Sequence, residues 1–253
     1  MKQSAFTKKM MIDCLADLDS EHESYITLYL KPCSFPCRAN DFVAKIDTLP
    51  GELKEALANE AVVRECGRYQ TGIVVFWGQN RHRIIVIPPF AVFEDRVLRD
   101  GPNTSLLRQT LEKGRFLGMV LVAWGSYALG VFRDDRLMRS KIGTGYIHKR
   151  HRKGGRSQKR FARRTEEQKK DFLRRVANRV DEEFRDCDFE QIFFGGNRLI
   201  LKPLLEECPY LRIHVDRISK RFLNVRYADR QSLYLASEDV NESIVFSFDE
   251  DMS

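Results

Sequence analysis

The sequence has few of the features that mark secreted, disulfide-bonded or membrane-spanning proteins. Its six cysteines are scattered over 253 residues, and their spacing resembles no disulfide framework, which favours a reducing compartment. The longest uncharged run, Phe116–Phe132, has 17 residues and three glycines, so two strands around a turn near Gly125 are expected rather than a membrane span. Near the N-terminus, aspartates follow the lysines before any apolar run develops, which indicates an amphipathic helix and not a signal peptide. The sequence therefore favours a cytoplasmic protein.

Metal ligands are also scarce. Cys33 and Cys37 form the only close cysteine pair, and no second pair or histidine cluster accompanies them as a zinc site usually requires. We therefore expect free thiols, and neither a metal nor a cofactor.

Negative charge is missing from one segment of a chain that otherwise mixes both signs. Between Lys149 and Arg164 there are nine basic residues and no acidic one. The wider stretch from Arg139 to Arg185 holds 17 lysines and arginines against 6 acids, a local charge of +11, which leaves −4 for the rest of a chain of net charge +7. Such a cluster repels itself, and its natural counter-ion is a phosphate backbone. Because no apolar insertion face accompanies it, nucleic acid is favoured over an anionic membrane or an acidic protein.

The hydrophobic pattern predicts a mixture of strands and helices, and hence an α/β or α+β fold built on a mixed sheet. The predicted strands are Tyr25–Leu30, Gly72–Trp77, Arg83–Ile87, Met119–Trp124, Tyr127–Phe132, Arg136–Ile142, Ile192–Phe194, Leu211–Val215 and residues 232–236 and 243–248. The predicted helices are residues 5–18, roughly 40–66, 103–113, about 157–184 and 199–206, with a helix or loop at 217–227. We expect an N-terminal α/β accessory region at 1–114, a domain at 115–235 that carries the basic segment, and a C-terminal strand with an acidic tail at 236–253.

The basic segment contains a double glycine directly before a predicted helix. Gly154 and Gly155 permit positive φ and let a substrate approach the backbone closely. Ser157 is a candidate N-cap, so the loop leads into a helix N-terminus whose N–H groups can hold an anion or a developing oxyanion. Gln158 follows on the first turn, with a side chain that donates and accepts hydrogen bonds and can orient a water molecule. By pattern alone, a flexible RNA-binding linker is the commoner interpretation.

The stretch from about Phe116 to residue 230 resembles the middle, catalytic domain of the archaeal and eukaryotic class-one peptide release factors. The resemblance rests on a strand pair ending in GVF, a hairpin turn, a basic run, the pattern GG-x-S-x-x-RFAR opening a long helix, and FFGGN after a later strand. Those factors carry Gly-Gly-Gln in this loop, whereas here Arg156 stands at the glutamine position and Gln158 comes two residues later. The arrangement G-x-x-Q is similar to the Vms-like branch of release factors, whose members rescue stalled large ribosomal subunits.

The resemblance implies an RNase H-like sheet for this domain and hydrolysis of the ester that joins a nascent peptide to tRNA. The expected partners are peptidyl-tRNA and the ribosomal RNA of the peptidyl-transferase centre in the large subunit, with no membrane. Gly154 and Gly155 would fit the loop against the terminal adenosine of the tRNA, and Gln158 would place the attacking water. Residues 1–114 hold no recognisable codon-reading motif, which favours codon-independent rescue. The basic residues that would hold the loop among phosphates are Lys149, Arg150, Arg152, Lys153, Arg156, Lys159, Arg160, Arg163 and Arg164.

Two other functions are compatible with the same residues. His148 and His151 flank the basic run and could act as an acid/base pair in a nuclease that cuts tRNA near its acceptor end, although phosphate or base contacts are the commoner role of such histidines. Alternatively, the segment could only anchor a non-catalytic RNA- or ribosome-binding factor. Asp134 and Asp135 lie at a predicted hairpin turn, where aspartate is favoured for local reasons, and we interpret them as structural.

Overall fold

A computed structural model of the chain describes residues 1–32, 34–35, 49–79, 81–147 and 156–249, with the backbone alone for residues 156–159 and 161–162. The chain divides into two compact units. Unit 1 comprises Met1–Lys113 together with Val240–Ser253, and unit 2 comprises Gly114–Asp239. In sequence, unit 2 is therefore inserted into unit 1.

Strands and helices follow one another along both units. The strands are β1 (Lys2–Phe6), β2 (Tyr25–Leu30), β3 (Ile73–Gly78), β4 (Arg83–Ile87), β5 (Arg96–Arg99), β6 (Phe116–Ala123), β7 (Ser126–Arg133), β8 (Arg136–Thr144), β9 (Gln191–Gly196), β10 (Ile218–Leu223) and β11 (Ser243–Ser247). The helices are α1 (Lys8–Asp19), α2 (Gly51–Leu57), α3 (Glu60–Tyr69), α4 (Ser105–Glu112), α5 (Arg156–Phe184), α6 (Arg198–Glu207), α7 (Pro209–Ile213) and α8 (Arg230–Asn241), with a 3₁₀ turn at Val215–Arg217.

Unit 1 is built on an antiparallel sheet of six strands in the order β1-β11-β4-β3-β2-β5. Both faces of the sheet are covered by helices. Leu53 of α2 and Val62 of α3 pack on one face, whereas Leu15 of α1 and Leu107 of α4 pack on the other. Because of this double cover, β3 is buried along its whole length and its sequence is a continuous apolar run rather than an alternating one.

Unit 2 contains a mixed sheet of five strands in the order β10-β9-β6-β7-β8. β6, β7 and β8 form an antiparallel meander, and β9 and β10 continue the sheet parallel to β6. The apolar stripe of α5, with Val176 and Val180 at its centre, packs on one face. α8 lies on the opposite face, where Leu233 approaches the backbone of Gly130. A meander followed by two parallel strands is the RNase H-like order, so the expected α/β fold with a mixed sheet is confirmed.

Three parallel strands of unit 2, β6, β9 and β10, end at the same edge of the sheet, which we call the carboxyl edge. β8 also ends there, because Thr144 pairs with Ser126 and the N–H of Gly145 donates to the carbonyl of Gly125 at 2.8 Å. α5 crosses the sheet from this edge to the other. Its residue Phe172 lies near Trp124, with 6.4 Å between ring centroids, and Phe184 lies 4.7 Å from Phe189, just before β9.

Some predictions of local structure are wrong. The strand expected at residues 211–215 belongs to α7 and the 3₁₀ turn, and the strand expected at 232–236 belongs to α8. Short apolar runs fit either element, and α8 buries Leu233, Ala236 and Val240 at helical spacing. The helix or loop expected at 217–227 is largely the strand β10. The charge of Arg221 hides this strand in the sequence, because its guanidinium is buried and donates to Asp239 Oδ1 at 2.6 Å.

The turn between β7 and β8 depends on Asp134. Its φ is 57°, its own N–H donates to the carbonyl of Arg115 at 2.8 Å, and its carboxylate accepts from the N–H of Arg115 at 2.7 Å. This geometry supports a structural role for Asp134. Asp135, the next residue, is exposed.

We expect Asp134→Ala to lower the free energy of unfolding by about 1–3 kcal/mol, because it removes the acceptor of the half-hidden Arg115 amide. Asp135→Ala is the matched control and should change it by less than about 0.5 kcal/mol. Urea denaturation of the two variants measures both values. Equal losses in the two variants would contradict the assigned role of Asp134.

Candidate nucleic-acid interface

The basic segment connects the end of β8 to the start of α5. Its first part, with His148, His151, Gly154, Gly155 and the basic residues between them, lies outside the described residues. The predicted roles of Lys149, Arg150, Arg152 and Lys153 therefore stay predictions. Of the remaining basic residues, Arg160, Arg163 and Arg164 are described, and all three are exposed to solvent.

α5 begins at Arg156, so its first turn includes the backbones of Ser157 and Gln158. Ser157 is thus the second residue of the helix, and its predicted position as the N-cap is wrong by two residues. The first N–H groups of a helix have no acceptor within the helix, and they point out of its N-terminal end. In sequence, this end of α5 directly follows the double glycine.

α5 is long, and none of the described side chains in its first part is buried. It has 29 residues, about 43 Å at the rise of an α-helix. Among its described side chains, the first buried one is Phe172, and Lys169, one turn earlier, lies with Nζ 5.1 Å from the ring centroid of Trp124. The 13 residues Arg156–Gln168 precede both contacts and span about 20 Å. We call these residues the stalk; in sequence it follows the double glycine and leads into the part of α5 that packs at the carboxyl edge.

The stalk is helical although it has no broad apolar face. Ion pairs on its surface support it, because side chains three or four residues apart are neighbours on a helix. Arg163 Nε lies 3.0 Å from Glu167 Oε1, and Lys169 Nζ lies 2.8 Å from Glu166 Oε1. Each exposed pair contributes only about 0.2–0.5 kcal/mol, so the stalk depends on its continuity with the packed part of α5.

Gly145 holds the other end of the loop against the same helix. A Cβ at this position would lie 2.8 Å from Phe172 Cδ2 and 2.6 Å from Arg175 Nη2. Phe172 is itself buried among Tyr127 and Trp124, so it has little freedom to move aside. The chain can therefore leave β8 next to the base of the stalk because residue 145 has no side chain.

The Gly145→Ala variant should lose about 1–3 kcal/mol of unfolding free energy, since overfilling a packed site forces its neighbours out of position. Gly114→Ala serves as the control, because a Cβ there would meet its nearest atom, Asp134 Oδ1, at an ordinary 3.6 Å. Chemical denaturation of both variants provides the comparison. A Gly145→Ala protein as stable as the control would show that Phe172 does yield.

The thiols of the described residues are buried or half-buried. Burial raises the pKa of the Cys14 thiol to about 11, and it also raises the pKa of Cys66 and Cys208. No group of three side chains able to hold a metal occurs in the described part of the chain. Cys33 and Cys37 lie outside that part. Among the described residues, no helix combines the length and apolar character needed to cross a membrane.

Unit 2 combines the mixed sheet with a long helix that follows a basic double-glycine sequence, which is the arrangement that the resemblance to class-one release factors predicts. Residues 115–245 match the family model described as the Actinobacteria/chloroflexi VLRF1 release factor. The chain therefore belongs to this release factor family.

The chain is also similar to proteins that are already described. The chain is 21% identical over 258 residues to peptide chain release factor subunit 1 of Picrophilus torridus, covering 93% of this chain and 63% of that protein. It is 33% identical over 117 residues to eukaryotic peptide chain release factor subunit 1 of Oxytricha trifallax, covering 45% of this chain and 24% of that protein. It thus spans less than two thirds of the length of these curated relatives. A crystal structure of the archaeal translation termination factor aRF1 is similar at 16% identity and a TM-score of 0.39, over 91% of this chain and 69% of that one.

Sequence reasoning missed a second group of basic and aromatic side chains, which lies at the carboxyl edge of unit 2. Arg198 follows β9, and Arg226 and Tyr227 follow β10; all three are exposed. The only local signal was the Arg-Tyr neighbour pair at 226–227, within a stretch expected to be a helix or loop. The strand order was needed to bring these residues to one edge.

Proposed function

We propose that this protein is a peptidyl-tRNA hydrolase of the release-factor type, which frees nascent chains from stalled ribosomes or large subunits. The observation that carries the proposal is the stalk, about 20 Å of helix ahead of the first buried described side chain of α5, directly after a double glycine flanked by basic residues. A thin helix can carry a loop into a confined site lined by RNA, where a whole domain does not fit. Membership of a release factor family supports the same function.

The proposed reaction is attack of water on the ester that links the peptide to the tRNA. The new bond joins the water oxygen to the carbonyl carbon, the ester C–O bond breaks, and the ribose oxygen leaves with a proton. The ester is already activated, so the protein has to position a water rather than to supply a strong nucleophile. Gln158 has the right side chain for this, since its amide both donates and accepts hydrogen bonds but is too weak a base to take the proton.

The backbone around Gln158 supplies a second element of the mechanism. The N–H groups of the first turn of α5, which have no acceptor within the helix, can stabilise the developing charge on an oxygen. Gly154 and Gly155 would allow the terminal adenosine to approach this turn closely. The surrounding basic residues would neutralise phosphates of tRNA and ribosomal RNA, which become the proposed partners.

Purified protein and large subunits that carry a labelled peptidyl-tRNA provide the test. We expect release of the peptide without a messenger RNA or a stop codon, together with a tRNA whose acceptor end is whole. Peptide that stays attached to a shortened tRNA fragment would identify a nuclease and would contradict the proposed hydrolase activity. Binding to the subunit without release or cutting would leave a non-catalytic factor.

A further inference from the structure

Three basic side chains lie over three aromatic rings at the carboxyl edge of unit 2. A cation over a ring face is attracted by the negative charge density of that face. The pairs are Lys169 with Trp124 (5.1 Å to the ring centroid), Arg198 with Phe222 (5.0 Å) and Arg226 with Tyr227 (5.3 Å). We call these six residues the edge platform.

The strand order places the three pairs side by side. Trp124 follows β6, Arg198 follows β9, and Arg226 follows β10, while β9 lies between the other two strands. Neighbouring strands are about 4.8 Å apart, so the strand ends that carry the pairs span about 10 Å. The N–H of Asn197 donates to the carbonyl of Val122 at 2.8 Å, which fixes the end of β9 beside the end of β6.

The platform combines anchored rings with exposed groups. Trp124 and Phe222 are partly buried and pack against the core of unit 2, so their positions are fixed. Arg198 and Arg226 are exposed, and the Tyr227 side chain is 58% exposed. A ligand can therefore reach both the cations and a ring face.

Two of these cations have no acidic partner among the residues that the structure describes. Neither Arg198 nor Arg226 forms an ion pair with a described residue, whereas Arg179, Arg185 and Arg217 elsewhere in unit 2 each contact a carboxylate. The acidic residue nearest to Arg226 in sequence is Asp229. Its carboxylate accepts the N–H of Ser232 at 2.8 Å, and this hydrogen bonding holds its pKa below the usual value.

We propose that the edge platform is a second RNA-binding site, which stacks unpaired bases on its rings and neutralises the adjacent phosphates with Arg198 and Arg226. Unpaired RNA offers both features at once, since every base has a ring face and a nearby phosphate. An acidic peptide would use the cations without the rings, and a lipid surface would require an apolar insertion face. The inference rests on the proposed function in one respect, namely that the stalk, which leaves the same edge, works among RNA.

Charge reversal tests the cations. The double variant Arg198→Glu/Arg226→Glu and the control Arg133→Glu/Arg136→Glu, at the opposite edge of the sheet, both lower the net charge from +7 to +3. Fluorescence anisotropy with a labelled decauridine RNA, over a series of salt concentrations, gives the affinity and its salt dependence. The platform variant should bind at least about tenfold more weakly with a smaller salt slope, and the control within about twofold of the wild type. The same two double variants are also compared in a protein whose Arg150, Arg152 and Lys153 are changed to Ala. In that protein RNA binding by the loop no longer contributes to the measured affinity.

Removal of a ring tests the stacking. Tyr227→Ala should weaken binding of the same RNA at least about fivefold. Tyr234→Ala is the control, since Tyr234 is 45% exposed but lies on α8, outside the platform. Circular dichroism shows whether all variants keep the fold.

Equal RNA affinities of the platform variant and the control variant would overturn the proposal. An RNA affinity of Tyr227→Ala equal to that of the wild type would also overturn it. If the platform variant loses binding to phosphatidylglycerol vesicles but keeps its RNA binding, the platform binds a membrane and the proposal is overturned. Peptide release by the wild-type protein is scored separately. If the wild-type protein releases no peptide but RNA binding depends on the platform, only the proposed hydrolase activity is contradicted. If it releases peptide and RNA binding does not depend on the platform, only the proposed RNA-binding site is contradicted.

Discussion

Gln158→Ala is expected to release peptide from stalled large subunits at least about 100-fold more slowly than the wild-type protein, which is the usual cost of removing one well-placed polar group from a reaction centre. Alanine at this position keeps the helix but cannot orient a water. The measurement is the single-turnover rate of peptide release with enzyme in excess. Binding of decauridine should be unchanged, because the variant removes no charge.

Gln168→Ala is the matched control, with the same substitution at the other end of the stalk, ten residues along α5. It should release peptide within about twofold of the wild-type rate, as is usual for a substitution away from the reacting atoms. Full activity of Gln158→Ala would rule out its proposed role. If reversing the charges of Arg150, Arg152 and Lys153 then abolished function, the loop would act as an anchor alone.

A proline in the stalk should be about as damaging to peptide release as Gln158→Ala. Glu167→Pro removes a helical hydrogen bond and introduces a clash with the preceding turn, which kinks or breaks a helix. A displacement of the loop by even 1 Å costs about 100-fold in rate when reacting groups must be aligned. We therefore expect a loss of at least that size in the single-turnover rate.

The fold of unit 2 should survive the same change. No described side chain of the stalk is buried, and the packed part of α5 starts at Phe172. Glu167→Ala is the control, because it removes the same ion pair with Arg163 without breaking the helix, and should stay within about twofold of the wild-type rate. Near-normal release by Glu167→Pro would show that the loop works without a continuous stalk.

Elements with a clear hydrophobic period were predictable from the sequence. The meander β6-β7-β8 follows from the apolar runs of β6 and β7 and from the turn residues at 133–135 before β8. α5 follows from apolar residues at spacings of three and four up to Phe184. β2 and β4 were predicted at their observed bounds. These elements carry their own local signal, so no knowledge of their neighbours was needed.

The missed elements depend on contacts that are distant in sequence. β1 and β5 are the outer strands of their sheet and are largely exposed, so neither has the apolar run of a buried strand. β10 holds a buried Arg221, whose partner Asp239 lies 18 residues later. Such strands are defined by their neighbours and not by their own composition.

The two parts of the candidate interface differ in the same way. The basic loop is a continuous run of residues, so its charge was visible in the sequence. The edge platform collects residues from positions 124, 198 and 226, which only the order of β6, β9 and β10 brings together. A surface assembled from separate strand ends leaves almost no trace in the linear sequence.

The insertion of unit 2 within unit 1 sets the order in which the two units can fold during synthesis. β11 lies between β1 and β4, so the sheet of unit 1 stays incomplete until residues 243–247 have been made. The last strand of unit 2 ends at Leu223, and α8 begins at Arg230. Domains usually fold in the order in which they are translated. Here unit 2 can complete its fold first, whereas β1, the first strand of the chain, can take its place in the sheet of unit 1 only after β11, the last strand, has been synthesised.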